Sequence, residues 1–169
     1  MGVKLAKAMG HSVMVISTSN SKEAVAKEKG ADMFVVSTNA ESMKNGANKC
    51  DIILNTISAN HEMMTYIPLL RPCGTLVQLG LVVKPHTLSQ LPIMFQRKQV
   101  AGSLIGGIKR TQELLDFCAE KNVVPDTEMI HASGIDGAWE KLINNTAGGT
   151  RFVIDIEASK ADADFMPKE

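Results

Sequence analysis

Aromatic residues make up only 4% of the sequence, and neither charge is in excess, because 18 lysines and arginines balance 18 aspartates and glutamates. A neutral chain has no basic face for nucleic acid phosphates or for an anionic membrane surface, so neither partner is expected. No apolar run approaches the ~20 residues needed to span a bilayer, and no cationic flank followed by an apolar stretch marks a leader. The three cysteines, Cys50, Cys73 and Cys118, stand far apart with no Cys-x-x-Cys pair. Isolated thiols in odd number suit a reducing compartment, so a cytoplasmic protein is expected. Four histidines, His11, His61, His86 and His131, lack metal-site spacing, and no residue is assigned to a metal. The Gly-x-Ser-x-Gly elbow and the Gly-rich Lys-Ser/Thr phosphate loop are also missing, and no residue is assigned to catalysis.

What is present is an aliphatic chain, 44% hydrophobic over 169 residues, long enough for one domain with a core. Gly2 to Met9 reads as a helix stopped by Gly10, and Ser12 to Ser17 as a buried strand. The pattern repeats with a helix from Lys22 to Lys29, a stop at Gly30 and a strand from Met33 to Val36. Two helix-glycine-strand units in succession predict an α/β fold with a doubly wound parallel sheet. Thr38 to Asn48 is a short helix or loop, and Asp51 to Thr56 is the next strand. Ala59 to Leu70 reads as a helix closed by the turn Arg71-Pro72-Cys73-Gly74, with a strand from Thr75 to Gly80 after it. Residues 81–98 are irregular, with a helical turn near Pro92 to Gln96.

A further strand, Gln99 to Ile105, ends at Gly106-Gly107 and gives way to a helix from Arg110 to Lys121, with Leu114, Leu115 and Cys118 on one face. Such a strand end is where an open α/β sheet places ligands, and its backbone groups can hold a polar carboxamide. Near Pro125 the pattern changes to a strand (Glu128 to His131), a helix (Ile135 to Asn144) and a strand (Arg151 to Asp155). Ser133 is placed to cap that helix, and Ile135, Ala138, Trp139, Leu142 and Ile143 form its apolar stripe. The stretch from Ala158 is polar and expected to fray. The divisions are thus residues 1–125, 126–157 and 158–169.

The turn after the first strand, Ser17-Thr18-Ser19-Asn20-Ser21-Lys22, contains no acid before Glu23. In a dinucleotide-binding sheet a carboxylate here would bind the adenosine ribose and repel a 2′-phosphate. Hydroxyls and a lysine suit the extra phosphate of NADP instead, although the same residues also serve as an ordinary helix start.

Taken in order, Met1 to Gly10, the Ile-Ser-Thr-Ser turn with Lys22, Asp51-Ile52-Ile53-Leu54-Asn55-Thr56, Gly102-Ser103-Leu104-Ile105-Gly106-Gly107, Thr111 to Cys118 and Arg151-Phe152-Val153-Ile154-Asp155 resemble one family. It is the cinnamyl-alcohol-dehydrogenase-like branch of the zinc-dependent medium-chain alcohol dehydrogenases. The resemblance implies a Rossmann-type domain serving NADP-linked interconversion of alcohols and aldehydes, commonly as a homodimer paired through the Gln99 to Ile105 edge. It would put Ser17, Thr18 and Lys22 around the 2′-phosphate, Thr56 and Gly80 beside the cofactor, Ser103, Leu104 and Ile105 along the nicotinamide, and Arg151 at the pyrophosphate. Residues 126–157 would form the segment returning to the catalytic domain.

In the family, a catalytic domain holding the zinc ligands, then a strand and its Gly-x-Gly-x-x-Gly turn, precede the helix that here starts at Gly2. Zinc is therefore expected outside these residues, and the chain alone is expected to be inactive. The missing strand is central in the order 3-2-1-4-5-6, so its loss would leave two interior strands without a neighbour. The rival expectation is a truncated relative that serves as a non-catalytic nucleotide-binding or structural module. A different module of this fold, such as a methyltransferase, also needs a glycine-rich first turn and does not explain the segment after Pro125.

Overall fold

The first two glycine stops form as the sequence predicts, with Gly10 and Gly30 in the left-handed region at φ 85° and 99°. Their helices, α1 (Gly2–Ala8) and α2 (Glu23–Glu28), lead into strands β1 (Met14–Ser17) and β2 (Met33–Val36). In this computed structural model, which describes residues 1–144 and 146–160, β1 and β2 pair in parallel, from Met14 beside Met33 to Ser17 beside Val36. Helix α3 (Ala40–Gly46), capped by the Asn39 side chain, carries the chain to a second sheet. That sheet holds β3 (Cys50–Asn55), β4 (Leu70–Gln78) and β5 (Gln99–Gly102), all parallel, with β4 in the middle.

Among the described residues no hydrogen-bonded ladder joins β1 to β3. Side chains connect them instead. The Cys50 thiol lies 3.8 Å from the Met14 sulfur, and Ile16 packs on a core of Ile53, Met63, Tyr66, Ile67, Leu69, Leu70 and Leu76. The arrangement is β2-β1, a break, then β3-β4-β5. It is the doubly wound order with its first strand left out, as the sequence predicts. On the core side Ile53 is 7% exposed, whereas its neighbours Ile52 and Leu54 on the opposite face are 63% and 57% exposed. A parallel strand is normally covered on both faces.

Several boundaries differ from those read in the sequence. Ala59 to Leu70 is not an α-helix: residues 59–62 are irregular, Met63–Leu69 form a 3-10 turn with Pro68 inside it, and Leu70 already belongs to β4. Pro68 supplies no N–H and restricts the residue before it, while the Glu62 carboxylate accepts from the Met64 amide, so the helical ladder never forms. The Arg71-Pro72-Cys73-Gly74 turn is a bulge within β4: Cys50 pairs with Leu70 but Ile52 with Thr75, and Cys73 takes φ 64°. Strand β4 ends at Gln78, and β5 ends at Gly102 because its partner ends there. Ser103, Leu104 and Ile105 therefore lie beyond the strand.

Helix α4 (Gln90–Met94) precedes β5, and helix α5 (Ile108–Glu120) buries none of its residues, with Leu114 and Leu115 42% and 57% exposed. A small third sheet pairs β6 (Thr127–Ile130) with β7 (Arg151–Ile154) around helix α6 (Ile135–Ile143). A 3-10 turn over Ala132–Gly134 puts Gly134, not Ser133, at the start of α6. Of the expected stripe only Ala138 is buried, and Trp139 is 63% exposed. The end is more ordered than a frayed tail up to Ser159. Helix α7 (Ile156–Ser159) is capped by Asp155, and the buried Ser159 hydroxyl accepts from the Ala132 amide at 2.8 Å. The rest of the expected tail, residues 161–169, lies outside the described residues.

The junction near Pro125 is clipped to the first helices. The Asp126 carboxylate meets Lys4 at 2.6 Å and Lys29 at 2.5 Å, and Lys4 also donates to the Val124 carbonyl. Hydrogen bonds from Lys29 and Lys4 lower the Asp126 pKa to about 2.

Candidate functional site

Strands β3, β4 and β5 end level, since Asn55 pairs with Gln78 and Gln78 with Gly102. The chain leaving each strand is tied to its neighbour. The Asn55 carbonyl accepts from the Leu79 and Gly80 amides at 2.9 and 3.0 Å, and the Gln78 carbonyl accepts from the Ser103 amide at 3.1 Å. Thr56, Gly80 and Ser103 thus stand side by side along one rim of the sheet, the carboxyl ends of its strands. This is the rim where an open parallel sheet binds ligands. Gly80 runs so close to the preceding loop that a Cβ there would lie 2.2 Å from the Ile57 carbonyl oxygen and 2.9 Å from the Thr56 carbonyl carbon. Only glycine fits.

Beneath this rim runs a chain of side-chain hydrogen bonds that the sequence analysis did not single out. The Asn55 amide nitrogen donates to Gln78 Oε1 at 2.7 Å, and it lies 2.9 Å from His61 Nε2. Gln78 Nε2 donates to the Gly80 carbonyl at 2.6 Å, the Ile57 amide donates to Asn55 Oδ1 at 3.3 Å, and His61 Nδ1 is 2.8 Å from the Ala59 carbonyl. Asn55 is 4% exposed. The sequence carries part of the signal, because Asn55 follows Ile52-Ile53-Leu54 and Gln78 follows Leu76-Val77, and a buried amide must find partners, but which partners depends on strand register.

Ser17, Thr18 and Lys22 follow one another at and just beyond the end of β1. Ser17 is its last residue, the Ser17 carbonyl accepts from the Ser37 amide, and the Thr18 carbonyl accepts from the Thr38 hydroxyl at 2.9 Å. Lys22 closes the short 3-10 turn Asn20–Lys22. Met14 and Cys50, the first residues of β1 and β3, are in contact through their sulfurs. Leu104 and Ile105 are 84% and 93% exposed on the loop before α5.

Arg151 stands apart from these groups as the first residue of β7, its amide donating to the Asp126 carbonyl at 2.8 Å. Among the described residues no three histidines, cysteines or acids come together as a metal site.

Known proteins share this fold. The description of the zinc-binding dehydrogenases matches residues 1–120. Cinnamyl alcohol dehydrogenase 3 of Arabidopsis thaliana is 43% identical over 160 residues, which are 94% of this chain and 42% of that protein. The solved cinnamyl alcohol dehydrogenase of Sorghum bicolor superimposes with a TM-score of 0.85 at 36% identity, over 96% of this chain and 46% of that one. That of Helicobacter pylori, solved with NADP(H), gives 0.80 at 33% identity, over 94% and 45%. The chain thus spans less than half the length of these relatives. With residues 1–120 in the match, the chain belongs to the zinc-binding dehydrogenase family, among relatives of the cinnamyl alcohol dehydrogenases.

Proposed function

We propose that this chain is the cofactor-binding part of an NADP-dependent, zinc-requiring alcohol dehydrogenase that works mainly as an aldehyde reductase. The observation that carries this reading is the rim shared by Thr56, Gly80 and Ser103, where glycine brings two loops into backbone contact at the carboxyl ends of parallel strands. The donor set at the end of β1 fits a 2′-phosphate, with hydroxyls on Ser17 and Thr18, the Lys22 ammonium, and no carboxylate before Glu23. Zinc has no comparable seat, because the described residues contain no ligand cluster. In this reading the metal belongs to other residues of the intact enzyme, and this chain alone does not turn over substrate.

When bound, NADPH supplies the hydride that reduces a carbonyl carbon. The residues of this chain seat and orient it. Ser17, Thr18 and Lys22 select the phosphorylated ribose, Thr56 and Gly80 pass close to the dinucleotide, and Ser103, Leu104 and Ile105 line the nicotinamide. Arg151 reaches the pyrophosphate. Residues 1–125 serve as the nucleotide unit. Residues 126–157 return to the catalytic domain, which would cover the exposed stripe of α6. The edge of β5 left open by β4 would pair two subunits in the cytoplasm.

A second reading, a non-catalytic nucleotide-binding or interaction module, is favoured by the open edges of β1 and β3 and by the lack of a metal cluster among the described residues. The two readings separate when the protein is purified from its source, its intact mass is measured, and NADPH oxidation is followed with an aromatic aldehyde. A mass well above 18.2 kDa with zinc-dependent turnover supports the reductase. A mass of 18.2 kDa without turnover supports the module.

A further inference from the structure

We propose that His61 is a positioning residue of this seat, acting through Asn55 as a neutral imidazole whose proton sits on Nδ1. The nucleotide part of this statement rests on the function proposed above, whereas the polarity of the network stands on geometry alone. Carbonyl oxygens only accept, so the 2.6 Å contact from Gln78 Nε2 to the Gly80 carbonyl makes the other end of that amide, Oε1, the acceptor. Oε1 takes a hydrogen from Asn55 Nδ2 at 2.7 Å. Asn55 Oδ1 accepts from the Ile57 amide, which fixes the asparagine in the same orientation from its other side.

The second Asn55 amide hydrogen then points at His61 Nε2, 2.9 Å away, and this nitrogen must accept it. At the opposite end of the ring, Nδ1 faces the Ala59 carbonyl at 2.8 Å and must donate. Both ends of the ring require the same tautomer. The ring is held by Tyr66, tilted at a centroid distance of 6.0 Å, and by His86, edge-on at 4.8 Å. Asn55 is the hub: its carbonyl holds Leu79 and Gly80, and its side chain holds Ile57 and Gln78. His61 completes the coordination of a buried group without touching the rim itself. Its effect on any bound nucleotide is therefore indirect, through the spacing of the Thr56–Ile57 and Gly80 loops.

The test uses the full chain with His61→Phe, which keeps a ring but loses the acceptor, and His61→Gln, which restores a carbonyl oxygen near the Nε2 position. Nitrogen-15 NMR of the wild-type imidazole is expected to show a bare Nε2 and a protonated Nδ1 at neutral pH. Amide hydrogen exchange at Ile57, Leu79 and Gly80 is expected to quicken roughly three- to tenfold in His61→Phe, the effect of about one lost hydrogen bond, and to recover in His61→Gln. NADPH affinity should follow the same order. The proposal is overturned by a proton on Nε2, by unchanged exchange in His61→Phe, or by a folded His61→Gln no better than His61→Phe. Should His61→Phe fail to fold, the wild-type tautomer still decides. Wild-type protein that shows the expected tautomer and exchange but binds no NADPH overturns the cofactor reading and leaves the positioning of the strand ends standing.

Discussion

Gly80 lies against Ile57 with no room for a side chain, since a Cβ on Gly80 would sit 2.2 Å from the Ile57 carbonyl oxygen. The obstacle is backbone and cannot rotate away. Gly80→Ala must push the two loops apart, and overpacking of this kind costs about 1–3 kcal/mol. A lower urea midpoint with unchanged slope is expected, together with weaker NADPH binding. An alanine variant as stable as the wild type would show that the loops separate freely.

The turn at the end of β1 should set the choice between NADPH and NADH. Replacing Lys22 with alanine removes a cation near the 2′-phosphate, and Thr18→Asp adds a carboxylate that repels it. Measured by fluorescence titration, Lys22→Ala is expected to narrow the preference for NADPH and Thr18→Asp to reverse it. Equal affinities in the wild type and both variants would remove this turn from the cofactor site.

Asp126 links the first two helices to the junction, and its pKa falls from the ordinary 3.8 to about 2. A carboxylate with a lowered pKa in the folded state stabilises fully above its unfolded value, and the contribution fades as pH falls through the folded one. The clip should therefore hold above about pH 4 and be lost toward pH 2. Urea melts across this window are expected to show a pH-dependent loss that is absent in Asp126→Asn. An identical slope in both proteins would show that the clip is not responsible.

The break between β1 and β3 should appear in hydrogen exchange. Strand β4 is paired on both sides, whereas β1 has a partner only in β2. Slow exchange is expected through Leu76 and Val77, and fast exchange in the half of the β1 amides that face away from β2. Uniform protection of β1 would mean that another strand fills the gap, from a second copy or from elsewhere.

The stops at Gly10 and Gly30, the parallel pairing and the break in the sheet were legible because each follows from local chemistry or from an ordered set of motifs. The 3-10 turn over Met63–Leu69 was not. Met63, Tyr66 and Ile67 have helical spacing, and it is Pro68 and the partners of Glu62 and His61 that withhold the ladder. Strand β5 was read too long for a related reason. Leu104 and Ile105 are β-prone, but β4 ends at Gln78 and offers them no partner. At the candidate site, Thr56, Gly80 and Ser103 fall on one rim. The Asn55, Gln78 and His61 network depends on register between strands, which a linear reading does not supply.

The most direct measurement of the central claim, that this chain seats NADP, is a titration of the isotopically labelled chain with 2′,5′-ADP and separately with 5′-AMP, followed by amide NMR. The first ligand carries the 2′-phosphate and the second does not. Selective shifts at Ser17, Thr18 and Lys22 with 2′,5′-ADP, small or absent with 5′-AMP, are the expected result. Equal responses to both ligands, or shifts that avoid the end of β1, would contradict it.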